Sequence, residues 1–426
     1  MNSSTTRRDF IKKAAVAIGM PTFIPASALG RDGNVAPSNR IAMAAVGIGP
    51  RGRLVLDTFL KQPDAQFIAI CDVQQANRRT AKMMVDRAYQ NEDCRTTADM
   101  LELFADPKID AVMIATGDRW HALASILAAK SGKDVYSEKP CAITMAECKE
   151  LDETIQLYGR VFQAGTQRRN VANFRHAVEL AQTGRLGRIH TVHASIYALG
   201  EKFDWLPAEP EPSRDEVDWD RWLGPAPWRP FNPAYVRGGW RGHHDFDSGL
   251  TLLDWGAHTV DLCQWALSMD GSAPVEYEPE GEGIRARYAN GVNLILRRGG
   301  FNGEGKWLGF GTCPVRFEGD EGWVEAGDFA KIGANPSSLV DGVKLADTPG
   351  TDPTWHVRNF LDCVKSRMGP ASNSSNTRSS HVACHAAAIS VRLGRKLTFD
   401  PQSETFIGDD EANRLRSRAR RAPWHA

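Results

Sequence analysis

Three glycines early in the chain have the spacing of a phosphate-binding turn. Gly47, Gly49 and Gly52 form a G-x-G-x-x-G pattern directly after the apolar run IAMAAV and directly before a predicted helix. Pro50 and Arg51 lie between the last two glycines. In this setting the first glycine permits a tight turn, the second lets the backbone approach a pyrophosphate, and the third lets helix and strand pack closely. The phosphates would face the helix N-terminus, so the pattern predicts a dinucleotide site.

An acidic residue at the end of the next predicted strand favours one form of the dinucleotide. Asp72 follows Gly52 by about 20 residues, where a carboxylate accepts hydrogen bonds from the adenosine ribose hydroxyls and repels a 2′-phosphate. We therefore expect NAD rather than NADP. Arg78 and Arg79 keep NADP open as an alternative, because a nearby basic residue can accommodate the phosphate. A glycine turn without a ligand is the remaining interpretation.

Two further predicted strands of this region end in polar clusters. One is followed by Thr116, Trp120 and His121, and the other by Glu138 and Lys139 of the tripeptide E-K-P. Ligands in open α/β sheets bind beyond the carboxyl ends of the strands, so we expect both clusters to face the cofactor. Lys139 could donate to a substrate hydroxyl or stabilise an alkoxide, and a surface lysine in a loop is the alternative.

A candidate general base lies on a predicted helix later in the chain. Asp254, His258 and Asp261 occur at i, i+4 and i+7, so they share one helix face. A carboxylate beside a histidine can orient its tautomer and raise its basicity, which suits removal of a hydroxyl proton. A structural histidine on a polar seam is the alternative.

Neither a metal centre nor a disulfide framework is favoured. His243, His244, Asp245 and Asp247 could join His258 around a divalent ion, but their spacing matches no standard ligand motif, and we predict no metal. The eight cysteines form no CxxC pair and no tight cluster. Most of them are expected to be buried thiols.

Chain length indicates the number of domains, and net charge bears on which kinds of partner the protein could bind. A chain of 426 residues exceeds the size at which one hydrophobic core stops growing, so two domains are expected. Lys and Arg total 52, as do Asp and Glu, so net charge gives no support for binding nucleic acid or an anionic membrane. We also find no apolar run long enough to span a membrane.

The region from 39 to 164 alternates short apolar runs with longer helical stretches, the pattern of βαβ units around a parallel sheet. We predict an α/β Rossmann domain there. Its predicted strands are residues 41–46, 67–71, 111–115, 134–136 and 161–163. Its predicted helices are residues 52–61, 74–89, 121–131 and 145–158.

The region from 165 to 426 predicts an α+β domain with an open, mainly antiparallel sheet, which we expect to bind the substrate. A helix at 173–182 leads to a strand at 189–198, and hairpins follow, one with Asn290 and Gly291 at its turn. The stretch GPASNSSNTRSS is expected to be a polar loop before a final helix at 381–393.

The first 28 residues contain the three parts of an export signal in the right order. The paired arginines Arg7 and Arg8 precede an apolar stretch at 14–24, and an A-x-A cleavage site follows at 26–28. We expect residues 1–28 to be a twin-arginine signal and residues 29–38 to be a linker. The mature protein would then be periplasmic or extracellular, and an amphipathic N-terminal helix is the alternative.

Together, the glycine turn, the E-K-P tripeptide at 138–140 and the D-x-G-x-H motif from Asp254 to His258 resemble the Gfo/Idh/MocA oxidoreductases, the family of glucose-fructose oxidoreductase and inositol dehydrogenase. Further matches are GTQRR at 165–169, DWDRWLGPAPWRPFNP at 218–233 and RNFLDCVKSR at 358–367, which look like an exported branch of that family. The resemblance extends over residues 40–401.

The resemblance implies NAD(P) at the glycine turn and hydride transfer at a secondary carbon of a sugar or polyol. In the family's pattern the lysine, the acid and the histidine act at the oxidised hydroxyl, and here these are Lys139, Asp254 and His258. The cofactor-binding set comprises Gly47, Gly49, Pro50, Arg51, Gly52, Asp72, Thr116, Trp120, His121, Glu138, Lys139 and Gln167. The substrate-binding set comprises Arg119, Arg168, Arg169, Trp240, His243 and His244.

Two stretches depart from the family's pattern, so the identity of the substrate cannot be inherited. The sequence Gly-Asp-Arg ending at Arg119 stands where many relatives read Pro-Asp-His, and we expect this extra cation to serve an acidic or anomeric substituent. The stretch from His243 to Asp245 replaces an aromatic-rich one. The resemblance also implies a homo-oligomer, a dimer or a tetramer, paired through exposed sheet faces.

An export signal beside a dinucleotide site favours chemistry that needs no outside NAD, because twin-arginine export moves folded proteins with their cofactor. Our leading hypothesis is an enzyme with tightly bound NAD that transiently takes a hydride from a sugar carbon, expected to be C3. A glycoside could then be eliminated or hydrolysed before the hydride returns. The alternatives are a net sugar or polyol dehydrogenase, a sugar-sugar oxidoreductase, and a catalytically silent sugar-binding protein.

Overall fold

The computed structural model describes residues 35–299 and 306–424. The predicted signal and most of the predicted linker lie outside the described residues, so those predictions stay untested. Met1–Arg40 separates from the compact unit Ile41–Ala426, and its described part contains one short turn, Pro37–Asn39.

A six-stranded parallel sheet forms the first part of Ile41–Ala426. Its strands are β1 (Ile41–Val46), β2 (Ala65–Cys71), β3 (Arg95–Thr97), β4 (Ala111–Ile114), β5 (Asp134–Ser137) and β6 (Phe162–Ala164). Across the sheet they run β3-β2-β1-β4-β5-β6, with every neighbouring pair parallel. The strand order reverses between β1 and β4, so the carboxyl ends of these two strands border the crevice in which such sheets bind ligands.

Helices cover both faces of this sheet. They are α1 (Pro50–Leu60), α2 (Gln75–Tyr89), α3 (Met100–Phe104), α4 (Asp118–Lys130) and α5 (Met145–Tyr158). Successive residues of β1 point to opposite faces: Val46 packs with Leu123 of α4 in one core, and Ala45 packs with Val55 of α1 in the other. The predicted Rossmann-type βα alternation is confirmed, although β3 and α3 were not predicted.

A nine-stranded sheet forms the second part. Its strands are β7 (Ile189–Ile196), β8 (Glu276–Glu280), β9 (Gly283–Arg287), β10 (Asn293–Arg298), β11 (Val315–Gly319), β12 (Gly322–Gly327), β13 (Lys331–Asn335), β14 (Leu397–Asp400) and β15 (Thr405–Phe406). Their order is β13-β12-β11-β7-β10-β9-β8-β14-β15. Only β7 and β10 pair in parallel among these described strands, so the mainly antiparallel sheet is confirmed. The predicted turn after β9 is present, with Gly291 at φ 88°.

Six further α-helices are described after α5: α6 (Ala172–Gln182), α7 (Trp219–Leu223), α8 (Leu253–Ala266), α9 (Thr354–Ser366), α10 (Ser374–Leu393) and α11 (Asp410–Arg414). Helices α8 and α10 pack in one core with the nine-stranded sheet, as Ala257 and Val382 do with Leu294. Helix α9 instead returns to the six-stranded sheet, where Phe360 packs against Phe59 and Tyr136. A late stretch of the chain therefore completes the nucleotide-binding layer.

The expected polar loop before the last long helix is wrong, because most of that stretch is helical. Helix α10 begins at Ser374, where the side chain of Asn373 accepts hydrogen bonds from the backbone N–H groups of Ser375 and Asn376. The hydroxyl of Ser374 also donates to Asp152 Oδ1 at 2.7 Å. A cap and a tertiary hydrogen bond thus stabilise a helical start whose residue types favour turns in isolation.

The start of α4 also differs from expectation. The helix begins at Asp118 rather than His121, with Gly117 before it in an extended conformation. Arg119 and Trp120 therefore lie in the first turn of the helix rather than before it. This placement changes which side chains can reach the crevice.

All eight cysteines are buried and reduced, as expected. In the part of the chain that the structure describes, no helix combines the length and the apolar composition needed to cross a bilayer.

Replacing Asn373 tests the observed start of α10. Asn373→Ala removes the acceptor for two backbone N–H groups, so we expect the free energy of unfolding to fall by about 1 kcal/mol. Asn373→Asp keeps an acceptor and is expected to match the parent protein in urea denaturation. An unchanged midpoint for the alanine variant would indicate that the helix begins later.

Candidate active site

The glycine turn has the shape that a pyrophosphate requires. Gly47 adopts φ +77°, and a Cβ placed there would lie 2.6 Å from the Cα of Thr116. A Cβ on Gly52 would lie 2.7 Å from the carbonyl oxygen of Gly47, whereas one on Gly49 would meet no heavy atom within 4 Å. Two glycines therefore allow close packing, and the third leaves open space beside the N-terminus of α1. The residues present fit a bound dinucleotide.

Asp72 is anchored at the end of β2. Its Oδ2 accepts from the backbone N–H of Ile48 at 2.6 Å, and its Oδ1 accepts from the N–H of Gln74 at 2.8 Å. Arg78 donates to the backbone carbonyl of Asp72 at 2.6 Å, so its guanidinium is already engaged by protein. The fixed carboxylate suits ribose recognition and supports the preference for NAD.

An ion pair between a partly exposed arginine and a buried glutamate joins the glycine turn to the E-K-P tripeptide. Arg51 Nε lies 3.0 Å from Glu138 Oε1, and the Glu138 side chain is only 4% exposed. Behind it, a Cβ on Gly165 would lie 2.8 Å from that same carboxylate oxygen, so the glycine makes room for the glutamate. The pair connects the start of α1 to the segment that follows β5.

Lys139 reaches across from β5 to the first turn of α8. Its Nζ donates to the backbone carbonyl of Asp254 at 2.6 Å and lies 3.6 Å from Asp254 Oδ1. Both side chains are partly exposed, at 19% and 26% respectively. The structure thus brings together two of the three predicted catalytic residues, which lie 115 positions apart in the chain.

His258 lies one turn further along α8, and its surroundings differ from those expected. Burial lowers the pKa of His258 well below its ordinary value, and the charges of Arg168, Lys139 and Arg51 lower it further. Its Nδ1 is buried and has no hydrogen-bond partner within the described ranges. The expectation that a neighbouring carboxylate raises its basicity is wrong, because Asp261 binds Arg169 instead.

Asp254 belongs to a group of three interacting carboxylates, and the other two, Asp118 and Asp247, were not predicted to act there. Burial raises the pKa of Asp247 to about 6, and the negative charge of Asp254 adds to that effect. Burial also raises the pKa of Asp118, as do the charges of Asp247 and Asp254. The backbone N–H of Gly242 donates to Asp247 Oδ2 at 2.6 Å. The sequence suggests Asp247 only as a potential metal ligand, because two histidines precede it by three and four residues.

The predicted arginines of the pocket serve two different purposes. Arg168 binds Asp328 through Nε and Nη2 at 2.8 and 2.6 Å, while its Nη1 is buried without a partner among the described residues. Arg169 is fully engaged by Asp261 and Asp270, so it stabilises the fold rather than offering a free cation. Gln167 is also buried, and its Oε1 has no hydrogen-bond partner among the described residues.

The expectation that Arg119 offers a cation to the substrate is wrong. Its guanidinium lies 3.6 Å from the ring centre of Trp222 and donates twice to the Trp222 carbonyl, and the residue is only 3% exposed. A buried guanidinium requires such partners because desolvation is costly. Arg241 supplies an accessible cation instead: its Nε lies 3.8 Å from Asp254 Oδ2, and half of its side chain is exposed.

Trp120 and His121 are held by protein groups near the crevice. Trp120 Nε1 donates to the carbonyl of Arg221 at 2.8 Å, and its ring packs edge-on against Trp424. The ring nitrogens of His121 contact the carbonyl oxygens of Pro140 and Thr116. Their predicted contact with the nicotinamide stays a prediction, and the observed contacts position the strand ends.

His243 and His244 also contact protein groups. His243 is buried against Tyr235 and Arg229, and His244 Nδ1 lies 2.7 Å from Glu201 Oε1. No group of three or more potential ligands capable of holding a metal ion is present within residues 35–299 and 306–424. The guanidinium of Arg241 lies 4.5 Å from the centre of the Trp240 ring.

Family models match both parts of the chain. The model described as "Oxidoreductase family, NAD-binding Rossmann fold" matches residues 41–166. The model described as "Oxidoreductase family, C-terminal alpha/beta domain" matches residues 170–426. The protein belongs to the Gfo/Idh/MocA oxidoreductase family. NAD binding by the Rossmann-type domain of this Gfo/Idh/MocA protein agrees with the glycine turn and with Asp72.

Curated relatives of this Gfo/Idh/MocA protein have several activities. It is 28% identical over 152 residues to myo-inositol 2-dehydrogenase of Thermotoga maritima, covering 35% of this chain and 43% of the relative. It is 28% identical over 159 residues to 2,7-anhydro-N-acetylneuraminate hydratase of Mediterraneibacter gnavus, covering 36% and 39%. It is 29% identical over 168 residues to a glycosyl hydrolase family 109 protein of Shewanella sp., covering 35% and 37%. The matched stretches span less than half of each relative.

Solved structures show the same fold. The WlbA dehydrogenase of Bordetella pertussis, in complex with NADH and UDP-GlcNAcA, superposes with a TM-score of 0.58 at 19% identity, covering 85% of this chain and 99% of that one. At this identity the likeness concerns the fold alone.

Gly49 provides a direct test of the cofactor site. Gly49→Ala places a methyl group in open space, so we expect unchanged stability of the cofactor-free protein. Affinity for NAD should fall at least about tenfold, roughly 1.4 kcal/mol, because the methyl group occupies the approach to the pyrophosphate. Titration calorimetry measures the affinity, and Gly200→Ala, also in open space, is the matched control. Equal NAD affinity in both variants would contradict the assignment.

Asp247 should make stability depend on pH. Its folded-state pKa of about 6 exceeds the value of about 3.9 expected in the unfolded chain. The folded state therefore binds more protons between these values, and stability falls as pH rises from 4 to 7. Asp247→Asn should make this slope shallower, with the remainder coming from other buried acids such as Asp118, and should raise the free energy of unfolding at pH 7.5 by roughly 1–3 kcal/mol. Urea denaturation at several pH values measures this pH dependence, and Asp347→Asn, at an exposed position, is the control. If the Asp247 variant kept the slope of the parent protein, the raised pKa of Asp247 would be excluded.

Proposed function

We propose that this protein is an NAD-dependent, carbohydrate-active enzyme that transiently oxidises a secondary ring carbon of a glycoside, expected to be C3. The substituent at C1 leaves while that carbon is oxidised, and the carbon is then reduced again. The supporting observation is the number of proton-transfer groups around Lys139 and its partner Asp254. Net oxidation needs a base for one hydroxyl proton, whereas elimination also needs a base for the C2 proton and an acid for the leaving group.

The described residues can supply these additional groups. Asp247 has a pKa of about 6, raised by burial, so its carboxyl can exchange a proton near neutral pH. His258 is neutral because burial and nearby cations lower its pKa. It would therefore act first as a base, and as an acid only after it has accepted a proton. Lys139 is a cation with one strong backbone acceptor at 2.6 Å and hydrogens left for a substrate oxygen.

When bound, NAD would supply the reversible oxidation by accepting the hydride of the ring carbon and returning it. His258 would accept the hydroxyl proton of that carbon as the hydride leaves and give it back when the hydride returns. Lys139 would donate to the same oxygen, and Asp254 would orient the lysine. The resulting ketone acidifies the neighbouring C2–H, so a base can remove this proton as the C1–O bond breaks. Water then adds across C1 and C2, which balances the cycle as hydrolysis of the glycoside.

A resident cofactor is part of the proposal. The ion pair of Arg51 and Glu138 links the glycine turn to the E-K-P tripeptide, and a rigid connection of this kind supports slow cofactor release. Export by the twin-arginine route to the periplasm or beyond, as a homo-oligomer, would then deliver an active holoenzyme. The relatives named as a hydratase and as a glycosyl hydrolase family 109 protein support chemistry other than net oxidation.

A net sugar or polyol dehydrogenase is the second candidate. The relative named myo-inositol 2-dehydrogenase favours it. In that case Asp247 and Asp118 would bind substrate hydroxyls rather than transfer protons.

Nitrophenyl glycosides distinguish the two candidates. We expect the purified protein to contain NAD and to release nitrophenol without added cofactor, with deuterium from the solvent incorporated at C2. Absorbance at the nitrophenol band and mass spectrometry of the sugar measure these results. Stoichiometric accumulation of NADH without nitrophenol release would support the dehydrogenase instead.

Lys139→Ala serves as the catalytic control for this experiment. It should retain NAD and lose turnover, because it removes the donor to the substrate oxygen but leaves the glycine turn intact. Lys61→Ala, at an exposed position on the same domain, is the matched control with parental activity. Full activity in the Lys139 variant would remove the proposed role.

A further inference from the structure

Three histidines contact successive backbone groups just after Lys139. His121 Nδ1 lies 2.6 Å from the carbonyl oxygen of Pro140. The backbone N–H of Cys141 donates to His381 Nε2 at 3.1 Å. His385 Nε2 lies 3.3 Å from the carbonyl oxygen of Ala142. These rings are at most 4% exposed, and they surround the peptide segment that follows the lysine.

The three rings come from two different parts of the chain. His121 lies on α4 of the Rossmann-type domain, whereas His381 and His385 are one turn apart on α10. Residues at i and i+4 share one helix face, so α10 presents both rings to the same segment. On the other side of Lys139, the backbone N–H of Glu138 donates to the carbonyl of Ile114 at 2.8 Å. The tripeptide is therefore held at both ends.

The contacts require particular tautomers. Burial lowers the pKa of His121 to about 4 and those of His381 and His385 to about 3, so the rings are neutral at pH 7. A neutral ring has one donor and one acceptor. His381 must accept at Nε2 and carry its proton on Nδ1, which faces Thr377 and Ser380. His385 must carry its proton on Nε2, because its neighbour there is a carbonyl oxygen.

We infer that His121, His381 and His385 form a histidine clamp that positions Lys139 for catalysis. This inference rests on the proposed function of Lys139. The clamp determines where the backbone at Pro140, Cys141 and Ala142 lies, and that backbone determines the origin of the lysine side chain. The lysine then spans the crevice to Asp254 with a hydrogen bond of 2.6 Å, which leaves little tolerance for movement of its base.

The three histidines are positioning residues rather than catalytic ones. None of the three rings needs to touch the substrate, and each acts through the backbone. A clamp of this kind joins the two parts of the molecule at the catalytic lysine, because α4 and α10 must both be in place for the segment to be held. A histidine that only fills the core would satisfy none of these directional requirements.

The tautomers can be measured on the unmodified holoenzyme. In ¹⁵N-histidine spectra at pH 7, we expect neutral rings with the proton on Nδ1 for His381 and on Nε2 for His385. The protein has 11 histidines, so single histidine-to-glutamine variants assign the signals. The reverse tautomer at His381, or a charged ring there, would overturn the clamp.

Paired substitutions test whether the clamp acts on the lysine. His381→Phe keeps a ring but removes the acceptor for Cys141, whereas His381→Gln retains an acceptor near the position of Nε2. We expect the phenylalanine variant to lower kcat for nitrophenyl glycoside roughly 10-fold to 100-fold with KM within about twofold of the parent. The glutamine variant should recover most of kcat, and exposed His190→Phe should behave as the parent.

Amide hydrogen exchange supplies a readout that does not depend on turnover. Peptides covering residues 138–143 should exchange faster in His381→Phe than in the parent or in His381→Gln, whereas peptides covering β5 should not change. Unchanged exchange at 138–143, or a kcat loss that glutamine does not rescue, would overturn the inference. If Lys139→Ala kept full activity, the proposed function would fail, yet the exchange and tautomer measurements would still decide whether the clamp exists.

Discussion

The hydrogen bond from Lys139 to the carbonyl of Asp254 is the contact on which the site depends. It joins the end of a strand in the six-stranded sheet to the first turn of a helix packed on the nine-stranded sheet. Neither sheet alone contains a complete set of candidate catalytic groups. The candidate active site forms only where the two sheets and their helices meet at Lys139. Both the backbone next to this lysine and its side chain are held by hydrogen bonds.

Ion pairs with buried carboxylates support this meeting point. Arg51 with Glu138, Arg168 with Asp328, and Arg169 with Asp261 each connect segments distant in sequence. Removing one partner of such a pair leaves an uncompensated buried charge, which is strongly unfavourable. The pairs therefore specify how the segments approach one another, more than they add net stability. Two of them also place cations near His258, which keeps that ring neutral.

The parts of the fold that depend on local sequence patterns were predictable. The apolar runs of β1 and β2 and the capped helix α5 could be found from residue types, because strand alternation and capping are local properties. The polar start of α10 could not, since its helical state depends on Asp152 from a distant helix. Helix α9 was likewise not foreseen as part of the nucleotide-binding layer, because its packing against Phe59 is a long-range contact.

The sequence by itself determined the cofactor turn, because the roles of Gly47, Gly49 and Gly52 follow from backbone conformation and the absence of a side chain. It also singled out Lys139, Asp254 and His258 by motif. Only the tertiary structure decided which charges are available: it buried Arg119 against Trp222 and engaged Arg169 with two carboxylates. It also raised the pKa of Asp247 by burial. The physical reason is that desolvation and ion pairing depend on which residues folding brings together. The residue types next to each other in the sequence do not reveal those neighbours.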